Sequence, residues 1–485
     1  MAETILELLA GSPAPALGAP GRRGLDHRGL LRQVEDGMRA VRRLGVRRGD
    51  RVAMVLPNGP ETAAAFLAVA SAASAAPLNP AYRADELDFA LGDLRARAVL
   101  VGRGGELAAE VARARGIPVV EVTAGEAAGR FTLSGDDGDG EPGPPPAPDD
   151  VALVLHTSGT TARPKQVPLT HANLCASARA VAAALRLGPA DRALHLMPLF
   201  HIHGLVAGLL APLAAGGSLF VPPGFDALRF AVWLGESAAT WYTAVPTMHQ
   251  AILARADRNR AIIARAGLRL VRSSSASLAP SVMQALEETF GAPVIEAYGM
   301  TEAAHQMTSN PLPPAARKPG TVGLPAGPEV SIRGGEVCVR GPGIMKGYDG
   351  DPAATAAAFV DGWFRTGDLG ALDADGYLRL TGRLKEMINR GGEKIAPREV
   401  DEVLLAHPAV AQAVTFALPH DKLGEEVAAA VVLRGDAGEA ELRDHVRAHL
   451  ADFKVPKKIV FVDAIPTGPT GKLQRIGLAR LLGLS

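Results

Sequence analysis

Cysteine is nearly missing from this 485-residue chain: Cys175 and Cys338 are its two cysteines, far apart and without CxxC spacing. Neither a disulfide framework nor a zinc site is indicated, and the chain reads as a protein of a reducing, cytoplasmic compartment. Net charge is missing as well, since 51 basic and 51 acidic side chains cancel. That balance leaves no electrostatic footprint for nucleic acid or for stable association with an anionic membrane. The stretch "MAETILELLAGSPAPALGAP" (1–20) lacks a basic segment ahead of its apolar residues and is not expected to act as a secretory leader. Long hydrophobic runs are missing too. The longest, "AAAFLAVASAASAAPL" (63–78), is alanine-rich, broken by serines and reaches Pro77. It is short for a membrane span, and a buried helix is expected there. The ending "LLGLS" is no peroxisomal address, and no internal repeat is evident.

What is present is the composition of a soluble globular protein, 47% hydrophobic and 21% charged, in a chain long enough for two or more domains. The runs "DRVAMVLPN", "AAPLNP" and "ARAVLVG" are short and β-rich, separated by helix-length stretches, and "SLFVPPG", "ATWYTAVP" and "PVIEAYG" continue the alternation. Such alternation predicts an α/β fold with substantial parallel sheet. Between the two groups, "SGDDGDGEPGPPPAPDD" (134–150) is too rich in Gly, Pro and Asp to bury a core and is expected to be a surface loop inside one domain. From about Gly334, short strands with glycine turns ("GGEVCVRGP", "DGYLRLTG") predict a small β-rich subdomain. "GRLKEMINRGGEKI" (382–395) has the look of a joint. Beyond it, Pro397 opens a helix that carries Val400, Val403 and Leu404 at helical spacing and stops before Pro408. The expected organisation is a large N-terminal domain, residues 1–384, and a small α+β C-terminal domain, residues 385–485.

One polar loop stands out. After the apolar run "VALVL" comes "HTSGTTARPK" (156–165), in which Thr157, Ser158, Thr160 and Thr161 supply hydroxyls, Gly159 permits close backbone approach and Lys165 adds charge. It fails the GxxxxGK[ST] pattern, because Pro164 precedes the lysine and Gln166 follows it. By itself the loop is consistent with a phosphate grip or with an ordinary turn.

Its context narrows the choice. "TSGTTARPK", "EAYGMTEA" (296–303), "WFRTGDLG" (363–370), "GRLKEMINRGGEKI" and "PTGKLQR" (469–475) occur in that order. Together they resemble the signature set of the adenylate-forming superfamily, which contains acyl-CoA synthetases, luciferases and adenylation domains. The resemblance runs over nearly the whole chain. Most members carry glycines where Ala162 and Gln166 stand here. With "PLFHIHGL" (198–205), "RSSSASLAP" (272–280) and "YGMTEAAHQMTSNPLPP" (298–314), that departure resembles the oxalate–CoA ligase branch.

The resemblance implies a role for each matching residue, and a chemical reason accompanies each role. A carboxylate acylates poorly until attack on the α-phosphorus of ATP turns it into a mixed anhydride with AMP as leaving group, a step that needs cations and donors in a dry site. Lys165 and the loop hydroxyls would hold the β- and γ-phosphates. Glu302 would carry Mg²⁺, a hard cation that prefers oxygen ligands. Thr301 would touch the α-phosphate, Tyr298 would lie along the adenine, and Asp368 would accept from both ribose hydroxyls with Arg383 beside it. Lys472 would bridge the substrate carboxylate and the α-phosphate, on a C-terminal domain that turns about Lys385 after adenylation. Gly391 and Gly392 would let the pantetheine arm of coenzyme A pass close to backbone.

The acid is less legible. His201 and His203, with His195 upstream, raise a metal site, but no acidic or cysteine ligand accompanies them at a usual spacing. No aspartate is present near His201 to hold a substrate amine, which disfavours amino acids. The arginine that malonate-activating relatives tend to carry before the tyrosine is replaced by Ala297. An oxalate pocket must be small and polar, and His201, His203, Ser275 and His305 are its candidates. "LVAGLLAPLAAGG" (205–217) would line an apolar tunnel or be core, which keeps aliphatic acids open. A nucleotide-binding relative without ligase activity is the reading from another class. The sequence is compatible with a monomer or a homodimer.

Overall fold

The structure is a computed structural model that describes residues 2–9, 11–135, 144–157, 164–467 and 473–484. Two large sheets form the N-terminal bulk. In the first, the strands Ala98–Val101, Arg51–Val55, Ser74–Pro77 and Val151–His156 lie side by side and parallel, with antiparallel pairs at both edges. In the second, Val294–Met300, Leu270–Ser273, Trp241–Ala244, Arg192–His195, Ser218–Phe220 and Pro15–Ala19 run parallel in that order. Central strands such as Val52, Ala53 and Met54 are buried on both faces, which is why they read as continuous apolar runs rather than alternating ones.

The alanine-rich run divides. Its first part is the helix Pro60–Ala72, closed at Ala73, and its end is the strand Ser74–Pro77. Ala63 through Val69 are essentially fully buried. The helix His27–Arg43 packs against it so closely that a Cβ at Gly37 would stand 2.7 Å from the Cβ of Ala68. Small residues on both helices permit that approach, and this explains a buried run made of alanine.

A smaller antiparallel sheet follows, from Glu329–Arg333, Glu336–Arg340, Phe359–Val360, Trp363–Leu372 and Leu378–Arg383. The last body holds a separate five-stranded sheet flanked by the helices Pro397–Ala406 and Glu439–His449. Its core includes Ile388, Val400, Leu404, Val427, Leu442 and Ile459. This is the expected α/β architecture with a β-rich subdomain and a small α+β module. The stretch 205–217 is core rather than a tunnel wall. Leu205, Val206, Leu209 and Leu210 belong to the main cluster on a wide π-helix, His203–Leu210, that begins at a candidate-site histidine.

Candidate active site

Strand ends supply most of the site. A cavity of about 710 Å³ is lined by Thr157, His201, Ser275, Tyr298, Thr301, Glu302, His305, Asp368 and Arg383, so nine of the sequence-named residues share one wall system. Thr157 follows the strand Val151–His156, Ser275 lies just past Leu270–Ser273, and Thr301 and Glu302 follow Val294–Met300. Binding groups gathered at the carboxyl ends of parallel strands are the usual arrangement in α/β sheets.

Ser158, Gly159, Thr160 and Thr161 lie outside the described residues, but the base of their loop is clear. Thr157 N–H donates to the Lys165 carbonyl (2.8 Å), and Lys165 N–H donates to Thr157 Oγ1 (3.1 Å). Gln166 has its own employment: Arg51 donates to its Oε1 (2.6 Å), and its Nε2 donates to the carbonyl and carboxylate of Asp93 (2.7 and 2.6 Å). A side chain there pins the second stem of the loop to the neighbouring helix end, which a glycine cannot do.

Tyr348 was not singled out by sequence. The Lys165 ammonium sits 4.5 Å from its ring centroid, and its hydroxyl donates to Glu302 Oε1 (3.1 Å). It therefore links the loop lysine to the candidate cation ligand. Glu302 is buried, and burial raises its carboxyl above the ordinary range, partly offset by hydrogen bonds including that of Tyr348. A divalent cation beside Glu302 would restore the charged form, so the donor set fits a hard metal ion.

On the next wall, Asp368 and Arg383 are direct partners across the antiparallel strands Trp363–Leu372 and Leu378–Arg383. Arg383 Nε donates to Asp368 Oδ1 (2.6 Å) and the Tyr298 hydroxyl to Oδ2 (2.5 Å). Burial and the adjacent Asp368 charge hold the Tyr298 phenol well above its usual range, so it remains a donor. A carboxylate offers about four lone-pair sites, so Asp368 keeps acceptor capacity toward the cavity.

The third wall is histidine-rich. The rings of His203 and His305 stack with centroids 4.8 Å apart and planes at 19°. His203 Nδ1 lies 3.0 Å from Ser275 Oγ and its Nε2 lies 2.7 Å from Thr243 Oγ1. Behind them is Arg272, fully buried, whose Nη1 and Nη2 reach His203 Nε2 (3.3 Å), Thr243 Oγ1 (3.3 Å), His305 Nε2 (3.1 Å) and Gln306 Oε1 (3.2 Å). Backbone strain concentrates here: Ser275, Ala304 and His305 have φ of +75°, +47° and +98°. Gly299 permits it, since a Cβ at that position would stand 1.6 Å from the His305 carbonyl oxygen.

Arg272 and Thr243 were missed by sequence, although Arg272 opens the quoted "RSSSASLAP". The available signal was a charge inside the otherwise apolar strand Leu270–Ser273. His195, weighed above as a metal ligand, is buried with Nε2 3.1 Å from the Gly204 carbonyl and packs on the wide helix. Among the described residues, no group of three His, Cys, Asp or Glu side chains is placed to hold a metal ion.

The C-terminal body closes the fourth side with Arg398, Asp401, Glu402, Leu473 and Arg475. Lys472 lies outside the described residues. Its neighbour Arg475 donates to Glu386 (3.0 Å) and Asp401 (2.6 Å), tying this end of the chain to the turn Leu384–Glu386 that contains the exposed Lys385. Gly391 and Gly392, with φ of +59° and +99°, form the two-residue turn between Ile388–Arg390 and Glu393–Ile395. Both angles are those a type I′ hairpin requires. Neither glycine, nor Lys385, lines the cavity.

A sequence profile described as AMP-binding enzyme matches residues 13–349, and one described as AMP-binding enzyme C-terminal domain matches 399–472. The chain belongs to the AMP-binding enzyme family. Among the relatives of this AMP-binding enzyme, an oxalate–CoA ligase of Arabidopsis thaliana is 45% identical, over 95% of this chain and 94% of its own length. A sulfoacetate–CoA ligase of Cupriavidus necator is 41% identical, over 90% and 88%. The crystal structure of ATP-bound MatB from Rhodopseudomonas palustris superposes with a TM-score of 0.89 at 29% identity, covering 100% of this chain and 99% of that one. Adenylate formation and acyl-CoA ligation are the chemistry of the family. No helix among the described residues is long and apolar enough to cross a membrane.

Proposed function

We propose that this chain is an ATP-dependent, AMP-forming oxalate–CoA ligase. One oxalate carboxylate would attack the α-phosphorus of ATP, releasing pyrophosphate and leaving oxalyl adenylate. The thiol of coenzyme A would then displace AMP to give oxalyl-CoA. The observation that carries the substrate reading is the polar, histidine-bearing wall of the cavity. His201, Ser275 and His305 line it with polar groups, His203 is hydrogen-bonded behind Ser275, and the apolar stretch 205–217 is packed into the core rather than along it. The relatives named for oxalate and sulfoacetate, both doubly anionic acids, point the same way.

In this reading Lys165 with the loop 157–161 holds the terminal phosphates and Thr301 the α-phosphate. Tyr298 borders the adenine, and Asp368 with Arg383 receives the ribose. Glu302 would hold Mg²⁺, which supplies charge neutralisation at the triphosphate. Lys472 serves adenylation. A domain joint at Lys385, between 1–384 and 385–485, is supported by the turn Leu384–Glu386 leaving one sheet and Ile388–Arg390 opening another. Rotation there would replace Lys472 by the turn Gly391–Gly392 for thioester formation. Two buried, unpaired cysteines fit a reducing cytoplasm.

The test is a CoA-dependent AMP-release assay with oxalate, malonate, acetate and octanoate. Oxalate is expected to give the highest kcat/KM, with pyrophosphate in equal amount and no ADP. A preference for octanoate, or the appearance of ADP, would overturn the reading.

A further inference from the structure

Arg272 is a cation in the wrong place for an ordinary structural arginine. It is fully buried, and its hydrogen-bond partners are two imidazoles, a hydroxyl and an amide oxygen, with no carboxylate among the described residues facing it. Its Nε has no hydrogen-bond partner among the described residues. Burial draws its pKa down to about 9, which still leaves it charged at neutral pH. A buried charge without a counter-charge is costly, and the cost is recovered when an anion arrives.

The guanidinium also dictates protons. It can only donate, so the nitrogens it faces, His203 Nε2 and His305 Nε2, accept, with the Thr243 hydroxyl, 2.7 Å from His203 Nε2, donating there as well. Both imidazoles are thereby fixed as neutral Nδ1–H tautomers. His203 Nδ1–H then donates to Ser275 Oγ, 3.0 Å away, and the Ser275 hydroxyl keeps its own proton for the cavity it lines. Ser275 sits at a strained φ of +75°, a conformation that persists only where the surrounding structure imposes it.

The geometry points to Arg272 as the positioning residue that sets this end of the cavity for a second anionic group: it fixes both histidine tautomers and supplies, from behind them, the charge that the non-reacting carboxylate or sulfonate of a short dianionic acid matches. The inference rests on the oxalate reading above and deepens it, since it predicts that a monoanionic acid of equal size is a poorer substrate.

Oxamate tests this, because it replaces one carboxylate of oxalate with a neutral amide of the same shape. Acid-dependent pyrophosphate exchange is measured for both acids with wild type, Arg272→Met, Arg272→Gln and Arg272→Lys. Wild type is expected to favour oxalate strongly. In the Met and Gln variants kcat/KM for oxalate should fall roughly 10²-fold, mainly through KM. The value for oxamate should change far less, and KM for ATP should hold. Arg272→Lys keeps the charge and should keep part of the preference. A wild-type preference that survives Arg272→Met in a folded variant, or equal losses on both acids, would overturn this assignment alone. An enzyme that exchanges pyrophosphate with neither acid overturns the oxalate reading and this assignment with it. Should the variants fail to fold, ¹⁵N NMR of the imidazoles in wild-type enzyme decides: His203 and His305 must both be neutral and protonated on Nδ1, and an Nε2–H form of either refutes the inference.

Discussion

Tyr348→Phe removes one hydroxyl and leaves the ring under Lys165. The hydroxyl donates to Glu302 Oε1 at 3.1 Å, and Glu302 is 8% exposed, so water can replace the lost donor only poorly. A hydrogen bond to a charged group contributes about 1.5–3 kcal/mol, which corresponds to roughly 10- to 150-fold. In the proposed function that loss falls on the metal and the triphosphate, because Glu302 is the candidate Mg²⁺ ligand. The expected result is a rise in KM for ATP within that range and a higher Mg²⁺ requirement, with KM for the acid unchanged. Tyr348→Leu removes the ring as well. The Lys165 ammonium, 4.5 Å from the ring centroid, then loses a cation–π contact of about 0.5–2 kcal/mol, so this variant should be weaker again toward ATP. Pyrophosphate release measured across a grid of ATP and Mg²⁺ concentrations separates the two terms. If Tyr348→Phe leaves both dependences untouched, or if the loss appears in the KM for the acid, the placement of Glu302 beside the triphosphate is refuted.

Lys472→Ala should lower adenylation roughly 10²–10³-fold, as loss of one transition-state stabilising group does, while transfer from preformed acyl adenylate to CoA persists. Lys385→Pro should show the opposite pattern, and equal losses in both half-reactions for both variants would refute the domain-alternation account. Burial raises the Glu296 carboxyl to about 7, and its Oε2 has no hydrogen-bond partner among the described residues. The folded state therefore binds this proton more tightly than the unfolded chain, so its stabilising effect is full below about 4.5 and is lost as pH rises through about 7. Over that window the loss is about 3 kcal/mol, so Glu296→Gln should flatten the dependence of Tm on pH, and an unchanged slope between pH 5 and pH 8 would count against the shift.

The motifs proposed for the nucleotide were legible as local structure because each is continuous with a strand whose end delivers it. "EAYGMTE" is the strand Val294–Met300 plus the turn that carries Thr301 and Glu302. "TGD" and "GR" come from two strands whose register sets Asp368 opposite Arg383. Elsewhere the cause lay in tertiary contact. Alanine favours helix, so its continuation past Ala72 into the strand that begins at Ser74 hides where the helix ends. Tyr348 lies far in sequence from both Lys165 and Glu302, and only the packing brings them together. The stretch 205–217 left tunnel and core open on composition alone, and burial of Leu205 to Leu210 on all sides decides for core.

The same contrast explains why the acid was harder to read than the nucleotide. Near the nucleotide wall, charge is already balanced locally: Asp368 has Arg383 and Tyr298, and Glu302 has Tyr348. Asp368, Arg383, Tyr298 and Glu302 all stand in motifs read from the sequence, whereas Tyr348 does not. At the proposed acid end the guanidinium of Arg272 faces imidazoles, and in the proposed function the substrate is its missing partner. A whole-chain charge of zero, which argued against nucleic acid, averages over that imbalance and hides it. What reveals it is the geometry. Three non-glycine residues there have positive φ, and Gly299 leaves room where any side chain would collide with the His305 carbonyl. Strain of that kind persists only where surrounding packing over-determines the backbone. The fold thus holds Ser275 and His305 in costly conformations around a buried cation, an arrangement that a second negative charge would complete in the proposed function.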